Sequence, residues 1–561
     1  MVKPRAFFIT LALTVLLGFA LAGGSVYWVL AQGPLNLWGG GVAYFPRGAV
    51  FVPRQAPVMA SLLVNPDRLE SFTQLVVRPE RRRRSHQELQ DFAQSLLAKT
   101  DLNYLQEIRP WLGEEITLAV TSLDYDQEPS NGSQAGYLLV VHSRDPQLSR
   151  EFLQIHGTQA AIAGEADLVF QQHQGVNLTY QKPRQQVANS ALLASAVVGD
   201  YVLFANHPQV LKAALTCLQA PSLSLTQAAV YQEALTQLEK PQVGVIYANL
   251  PGLSAWLGGQ GKSDYLATKQ TLTWGFGLQS QGLVVTTSLS GIKSVDSLPT
   301  LSPPLSPLRG VPASSVLVVA SRNLTGLWQT IQDSLPASSP LGQTLQQLLA
   351  RLETPLGLDL AQDIFSWVQG DYSLILLPDS SGSVPAWVLI AERLPGANVD
   401  EAMKHLDALA QSQGYNLTPL PVGGETVTAW TALKTRQKGS LTALEAQVQG
   451  AHLTLDNQEI FATSLAALSL VLDAQTPSLE GSVKFSRATQ ALPENNRGYF
   501  YLDWQGAEAY LVRQVPFLRV VELSLRPFFK NVRSFTLTSP TPSSAESIPQ
   551  VTAYFNLGTQ E

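Results

Sequence analysis

The spacing of hydrophobic residues along the chain follows the helical period in some segments and the strand period in others. Residues 89–97 place leucine and phenylalanine on one helical face, and Ser85 with Glu88 has the form of a capping box at the helix start. Residues 116–120 then alternate between apolar and polar side chains, which is the period of a half-buried strand. We therefore predict a helix followed by a strand in this part of the chain.

The same segment returns in the second half of the chain. Without gaps, Leu102, Gln106, Ile108, Trp111 and Leu118 recur as Leu358, Gln362, Ile364, Trp367 and Leu374. Further segments match in the same order: 137–140 with 387–390, 197–206 with 448–457, and 244–249 with 498–503. The pattern predicts a tandem duplication of one domain. Trp111 and Trp367 are expected at equivalent places, each packing a helix onto the following strand.

The predicted strands form short pairs that are interrupted by helices. Residues 272–278 and 283–289 are one such pair, joined by a polar turn. Strands and helices do not alternate regularly, which disfavours a Rossmann fold or an α/β barrel. We therefore predict an α+β fold with mostly antiparallel sheets and helices packed on one face.

The amino-terminal pattern is that of a membrane segment. Residues 7–30 are apolar and follow Lys3 and Arg5. At about 1.5 Å per residue, a helix of this length crosses the roughly 30 Å hydrocarbon core, and the basic flank favours a cytoplasmic amino terminus. A signal peptide cleaved after residues 29–31 is the alternative. An uncleaved signal anchor is favoured because signal peptides usually have apolar cores of about 7–15 residues.

These patterns divide the chain into five predicted parts. They are a signal anchor or transmembrane helix at residues 1–32, a tether at 33–48, a first α+β repeat domain at 49–292, a linker rich in proline and serine at 293–311, and a second repeat domain at 312–561. The chain has 561 residues, which is too long for a single core and agrees with two domains.

Composition and motifs disfavour several classes of partner, metal site and cofactor for this protein. The net charge of −6 argues against nucleic acid as a partner. One cysteine, Cys217, excludes an intramolecular disulfide and a cysteine-cluster metal site. The seven histidines have neither HxH nor HExxH spacing, so we predict no zinc site. No cofactor is predicted, because the sequence has no Walker loop and no G-x-G-x-x-G motif.

Two adjacent carboxylates beside Trp111 are candidates for acid/base chemistry. They are Glu114 and Glu115, at the start of the predicted strand. Only one acidic position returns in the second half, as Asp371. A cap or turn acid is therefore the favoured interpretation.

A second acidic segment has the alternation of calcium ligands. Asp124, Asp126 and Glu128 occupy alternate positions. Pro129 stands where a calcium loop has its glycine, and Ala135 where it has its closing glutamate. A solvated hairpin turn is favoured over a calcium site.

The densest basic segment contains five arginines, called here the arginine run: Arg78, Arg81, Arg82, Arg83 and Arg84. A solvated approach to the predicted helix is the favoured interpretation, with Glu80 and Glu88 balancing the charge. The alternative is an anion-binding patch for lipid headgroups or an acidic protein partner. It stays open because five close positive charges repel one another unless a negative group lies nearby.

The order of several sequence blocks resembles that of a cyanobacterial family of membrane-anchored extracytoplasmic proteins with a domain of unknown function. The blocks are residues 65–69, 111–120, 136–139 and 198–208. The resemblance implies a photosynthetic bacterial source and a location in the periplasm or thylakoid lumen. It brings no catalytic residues.

The sequence therefore favours a non-catalytic binding or scaffold module that acts on membrane proteins or lipids outside the cytoplasm. Two alternatives stay open: a hydrolase whose site assembles from residues distant in sequence, and a carrier of amphiphilic molecules. The expected partners are the membrane, through the amino-terminal helix, and a protein or an anionic lipid. No nucleic-acid partner is expected.

Overall fold

A computed structural model of the chain describes most of both halves. The described residues are 45–65, 104–162, 166–183, 192–238, 242–258, 270–291, 308–334, 357–378, 385–514, 532–541 and 550–557, apart from 129, 131, 280–281, 309, 439–440 and 474, with isolated positions between 346 and 353. The predicted transmembrane helix, the arginine run and the predicted helix from Ser85 lie outside them. No helix within the described residues is long and apolar enough to cross a membrane.

The chain folds into two compact units, of which the first comprises Met1–Ile292, Glu522–Asn531 and Leu557–Glu561 and the second comprises Lys293–Val521 and Val532–Asn556. The described strands of the first unit are β1 Val58–Leu62, β2 Leu112–Ser122, β3 Gly136–Ser143, β4 Ala166–His173, β5 Val176–Pro183, β6 Ala194–Val198, β7 Tyr201–Ala205, β8 Gly244–Asn249, β9 Thr271–Gln279 and β10 Gly282–Ser290. They form an antiparallel sheet in the order β10-β9-β8-β1-β2-β3-β7-β6-β5-β4. Its helices are α1 Pro146–Ile162, α2 Pro208–Gln219, α3 Ala229–Thr236 and α4 Leu250–Gly258.

The second unit repeats this strand order. Its described strands are β11 Leu317–Arg322, β12 Asp371–Leu377, β13 Ala386–Glu392, β14 Asn416–Val422, β15 Glu425–Lys438, β16 Leu441–Leu455, β17 Gln458–Ala462, β18 Asn496–Asp503, β19 Ser534–Pro540 and β20 Gln550–Asn556. They pair in the order β20-β19-β18-β11-β12-β13-β17-β16-β15-β14. Its helices are α5 Leu324–Ser334, α6 Val399–Ser412, α7 Leu465–Leu472, α8 Val483–Thr489 and α9 Trp504–Gln514. The prediction of an α+β fold with antiparallel sheets and packed helices is confirmed.

Helices cover both faces of the first sheet, so the prediction of helices on one face is wrong. Leu138 and Val140 of β3 pack in one cluster with residues of α2. Tyr137 packs on the opposite face with Trp256 of α4. Successive side chains of a strand point to opposite faces, so a strand that is covered on both sides is apolar at consecutive positions. The uninterrupted apolar run at residues 137–141 reflects this arrangement.

Strand pairing shows which positions of the two units correspond. Tyr137 pairs with Val120 in the first unit, and Trp387 pairs with Leu376 in the second. These pairings confirm the predicted match between residues 137–140 and 387–390.

The predicted match of residues 197–206 with 448–457 is wrong. Residues 197–206 contain the turn between β6 and β7, whereas residues 448–455 lie within the single strand β16. The corresponding turn follows β16, where Asp456 has a φ of 51° beside the 57° of Gly199. Similar apolar spacing along one long strand produced the false match.

Trp111 and Trp367 lie at equivalent places, as predicted. Both are buried, and each follows a π-helical turn, Tyr104–Ile108 in the first unit and Leu360–Phe365 in the second. Trp111 Nε1 donates to the Glu107 carbonyl at 2.7 Å, and Trp367 Nε1 donates to a carbonyl four residues earlier at 2.9 Å. Each indole therefore closes the turn that precedes β2 or β12.

Candidate functional site

The acidic segment at residues 124–128 is a self-bonded hairpin turn. Asp126 Oδ1 accepts from the backbone N–H of Glu128 at 3.2 Å, and Glu128 Oε1 accepts from the Ser130 hydroxyl at 2.9 Å. The described residues contain no group of three side chains arranged to hold a metal ion. The geometry is that of the solvated turn which the sequence favours.

Glu115 holds the start of the first unit against its sheet. Its carboxylate accepts from the backbone N–H groups of Arg47 at 3.0 Å and Gly48 at 2.6 Å, and from the Thr117 hydroxyl at 3.0 Å. Burial raises the pKa of Glu115, and the two N–H groups oppose that shift. A Cβ atom on Gly48 would lie 2.9 Å from the carboxylate, so this contact requires glycine. Glu115 therefore caps the 3-10 turn Gly48–Phe51 from a distant strand.

The two units use the corresponding acidic position differently. Glu114 is exposed whereas Glu115 is buried. The corresponding Asp371 is buried as well, but it pairs with the Arg322 guanidinium. The position therefore bonds a backbone turn in one unit and a side-chain cation in the other. This difference indicates a structural acid at each place.

A dense group of ionisable side chains lies in the second unit and is called here the His452 cluster: Arg393, Asp400, Asp407, His452 and Glu459. Arg393 follows β13, Asp400 and Asp407 lie on α6, and the remaining two lie on β16 and β17. α6 packs on this face of the sheet through Met403, Leu406 and Ala410. The spacing along the helix places Asp407 one turn from Met403, above the strands.

His452 lies between two carboxylates. Its Nδ1 atom is 3.2 Å from Glu459 Oε1, and its Nε2 atom is 3.1 Å from Asp407 Oδ1. Trp430 Nε1 also donates to Asp407 Oδ1 at 2.8 Å. Only the protonated imidazole donates from both nitrogens, so the two carboxylates favour imidazolium.

Glu459 connects His452 to the arginine of the cluster. Its Oε2 atom accepts from Arg393 Nη1 at 2.6 Å and from Thr454 Oγ1 at 2.8 Å. Arg393 Nη2 lies 2.5 Å from Asp400 Oδ1. The Glu459 side chain is 1% exposed and that of Asp400 is 79% exposed. Charges of alternating sign therefore lead from the surface into the interior.

The cluster shifts the pKa values of its two inner members in opposite directions. Burial, the strongest single influence, opposes the charge on His452, but Glu459 and Asp407 together outweigh it and raise the pKa of His452. Burial also opposes the charge on Glu459, but hydrogen bonds from His452, Thr454 and Arg393 outweigh it and lower the pKa of Glu459. The charged pair is therefore the favoured form between the two pKa values.

The contacts of His452 indicate a structural role, in which this residue links a helix to the sheet. An imidazole whose two nitrogens both face carboxylates has no lone pair directed at a substrate, and a general base needs one within hydrogen-bonding reach. Asp407 belongs to α6, whereas Glu459 belongs to β17. The positive ring of His452 joins the two elements.

In the first unit, the positions that correspond to His452 and Glu459 hold uncharged side chains. Strand pairing puts Ser195 at the position of His452 and Val202 at the position of Glu459. Val202 packs there in an apolar cluster with Trp111 and Phe152. The strand order that the two units share therefore does not need the His452 cluster, which is specific to the second unit.

Sequence reasoning missed the His452 cluster because its members come from separate elements. His452 and Asp407 are 45 positions apart, and Arg393 and Glu459 are 66 apart. No local spacing connects them. The available signal was a charged glutamate where the first unit has valine, and the wrong match of residues 448–457 concealed it.

Each unit is thus an antiparallel sheet with packed helices, and the chain is an α+β protein built from two such units. The chain belongs to the family described as protein of unknown function (DUF3352), which matches residues 10–557. No curated protein matches the chain, and no solved structure matches it. The family match extends over both units.

Proposed function

We propose that the chain is a membrane-tethered binding or scaffold module that acts on proteins or lipids outside the cytoplasm. The observation that supports a non-catalytic role most strongly is the saturation of the His452 cluster. Both ring nitrogens of His452 and both oxygens of Glu459 are engaged in internal contacts. These groups hold the fold together in place of contacting a substrate.

We infer that the two units arose by tandem duplication of one domain, with domains near residues 49–292 and 312–561. The identical strand order and the equivalent hydrogen bonds of Trp111 and Trp367 support this origin. The two units carry different residues at the position of His452. We infer that, after the duplication, the second unit acquired stabilising contacts of its own.

The tether connects the proposed membrane anchor at residues 1–32 to a fixed point on the first sheet. Residues 47 and 48, at the end of the proposed tether, donate their N–H groups to buried Glu115. A tether held at this point places the first unit next to the membrane. The proposed location is the periplasm or thylakoid lumen of a cyanobacterium, following the sequence resemblance.

The proposed contact with an acidic partner or anionic lipid is made by the arginine run. Each basic residue close to an anionic membrane surface contributes roughly 1 kcal/mol, and the attraction fades beyond a Debye length of about 8 Å. Five such residues give a contact that weakens as salt increases.

The proposal is tested by crosslinking the tagged full-length protein in its membrane and identifying the copurified proteins and lipids by mass spectrometry. Arg81, Arg82, Arg83 and Arg84 are replaced together by glutamine in one variant and by lysine in a control that keeps the charge. We expect companions that the wild type and the lysine variant share and the glutamine variant loses. Identical companions in all three samples would contradict a role for the arginine run.

A further inference from the structure

A second set of buried polar residues lies in the first unit, between α3 and the strands β9 and β10. It is called here the hydroxyl cluster: Tyr231, Thr271, Thr273, Ser288 and Ser290. All five residues are buried, and none of their hydroxyl groups has a hydrogen-bond partner among the described residues. A buried hydroxyl without a partner costs free energy, so five of them in one place call for an explanation.

Strand pairing places these hydroxyl groups on one face of the sheet. Thr271 lies opposite Ser290, and Thr273 lies opposite Ser288. Directly opposed residues in an antiparallel pair share a face. Thr273 also lies opposite Tyr247 of β8, whose ring meets the ring of Tyr231 edge-on at 5.1 Å. Tyr231 on α3 and the strand hydroxyls therefore belong to the same layer.

The second unit fills the corresponding place with an aromatic ring. Thr536 of β19 lies opposite Tyr501 and opposite Tyr554, so Tyr554 occupies the position of Ser288. The Tyr554 side chain is buried, and its hydroxyl accepts from Gln490 Nε2 at 3.1 Å. Phe485 of α8 lies 5.5 Å from Tyr501 and takes the place of Tyr231. At the Ser288 position the first unit thus has a small hydroxyl side chain where the second unit has a phenol ring, whereas Thr271 and Thr273 correspond to the hydroxyl residues Ser534 and Thr536.

We propose that the hydroxyl cluster is an internal binding site for a small neutral molecule with several hydrogen-bonding groups, water being the smallest of this class. Hydroxyl groups both donate and accept, so they suit a neutral polar ligand. An ion is disfavoured, because the cluster supplies no formal charge to offset the desolvation of a buried ion. Burial raises the pKa of Tyr231, which keeps its hydroxyl neutral. Buried waters typically make about three hydrogen bonds to polar groups of this kind.

Whether a substitution in the hydroxyl cluster raises or lowers the unfolding midpoint tests the proposal. Thr273→Val keeps the shape of the side chain and removes the hydroxyl. If the hydroxyl bonds a small molecule, the variant loses that bond and its unfolding midpoint decreases. If the site is dry, the variant relieves an unpaired hydroxyl and its midpoint increases. We expect a decrease for Thr273→Val. An unchanged or higher midpoint would overturn the proposal.

Thr536→Val is the matched control, because Thr536 also lacks a partner for its hydroxyl among the described residues but lies beside the Tyr554 ring. We expect its midpoint to stay the same or to increase. A decrease equal to that of Thr273→Val would show a general cost of replacing threonine and would count against a specific site.

A high-resolution crystal structure of the full chain provides a second test that is independent of variant folding. We expect density within hydrogen-bonding distance of the Tyr231 hydroxyl and at least two strand hydroxyls. Separate peaks identify water molecules, and continuous density identifies a small polyol or similar compound. Hydroxyl groups bonded only to one another, with no density between them, would refute the site.

Discussion

At the scale of single residues, Trp111 and Trp367 close the turns that precede β2 and β12. Both are buried, and each donates to a carbonyl four residues earlier. We expect Trp111→Ala to lower the free energy of unfolding by about 3–5 kcal/mol, as large-to-small core substitutions do. Trp111→Phe keeps most of the ring and loses the hydrogen bond, so it should cost less. Denaturant unfolding measures both, and equal small effects would contradict this packing role.

His452 makes the stability of the second unit depend on pH. Its pKa is raised in the folded protein, so the folded state binds the proton more tightly than the unfolded state. The stabilisation is complete below about pH 6.5, the ordinary value for histidine, and is lost as pH rises through the folded pKa. We expect the unfolding midpoint to decrease over that range in the wild type.

The matched variants are His452→Gln and His405→Gln. His405 lies on α6, the helix that carries Asp407, and contacts Asp363, but its side chain is 59% exposed. We expect His452→Gln to flatten the pH dependence and His405→Gln to retain it. Parallel curves for the wild type and His452→Gln would show that another group is responsible.

Residue identity alone revealed the structural acid at Glu115 but not its partners. The sequence favours a cap or turn acid there, and the structure shows a cap for a turn that lies 67 positions earlier. The His452 cluster was out of reach for a related reason. Its energetics depend on α6 lying over β16 and β17, and no periodicity within one element encodes that juxtaposition.

At the scale of elements, Glu115 holds a turn and not only a side chain. It accepts hydrogen bonds from the backbone N–H of Arg47, just before the 3-10 turn Gly48–Phe51, and from that of Gly48, the first residue of the turn. We expect Glu115→Ala to speed amide hydrogen exchange in residues 47–52, because the two donors lose a buried acceptor worth about 1–3 kcal/mol. Glu114→Gln, at the exposed neighbouring position, is the control and should leave exchange there unchanged. Unaltered exchange in Glu115→Ala would mean that apolar packing alone fixes the turn.

The strands and their pairing were the more predictable elements. The alternation in residues 116–120 and the two runs around residues 272–289 predict β2, β9 and β10, and the structure contains them. The prediction did not include helices on both faces of the first sheet. An antiparallel strand with one solvent-exposed face alternates between apolar and polar residues, whereas β3 is apolar at consecutive positions. The apolar run at residues 137–141 indicates a strand that is covered on both faces, but the prediction assumed a single covered face.

At the scale of the whole molecule, the strand order that the two units share allows each local feature of one unit to be compared with the other. Where the units agree, as in strand order and the tryptophan turns, the feature belongs to the common architecture. Where they differ, as at Val202 and Glu459 or Ser288 and Tyr554, the difference points to a property of one unit.

The proposed membrane attachment concerns the whole chain and depends on the apolar segment at residues 7–30. We expect the full-length protein to stay in the membrane fraction after washes with high salt and alkali, because an apolar helix of this length spans the bilayer. Deleting residues 1–40 should release the protein.

The two forms of the amino terminus are separated by sequencing the mature protein. An uncleaved anchor leaves residues 7–30 in the membrane fraction, whereas a mature chain that begins at Gln32 shows cleavage. Replacing both Leu16 and Leu17 by arginine should impair insertion, since each arginine near the centre of a span costs about 2.5–3.5 kcal/mol on the insertion scale. Alanine at the same positions is the control and should insert. Membrane retention of the double arginine variant, equal to that of the alanine control, would exclude this segment as the anchor.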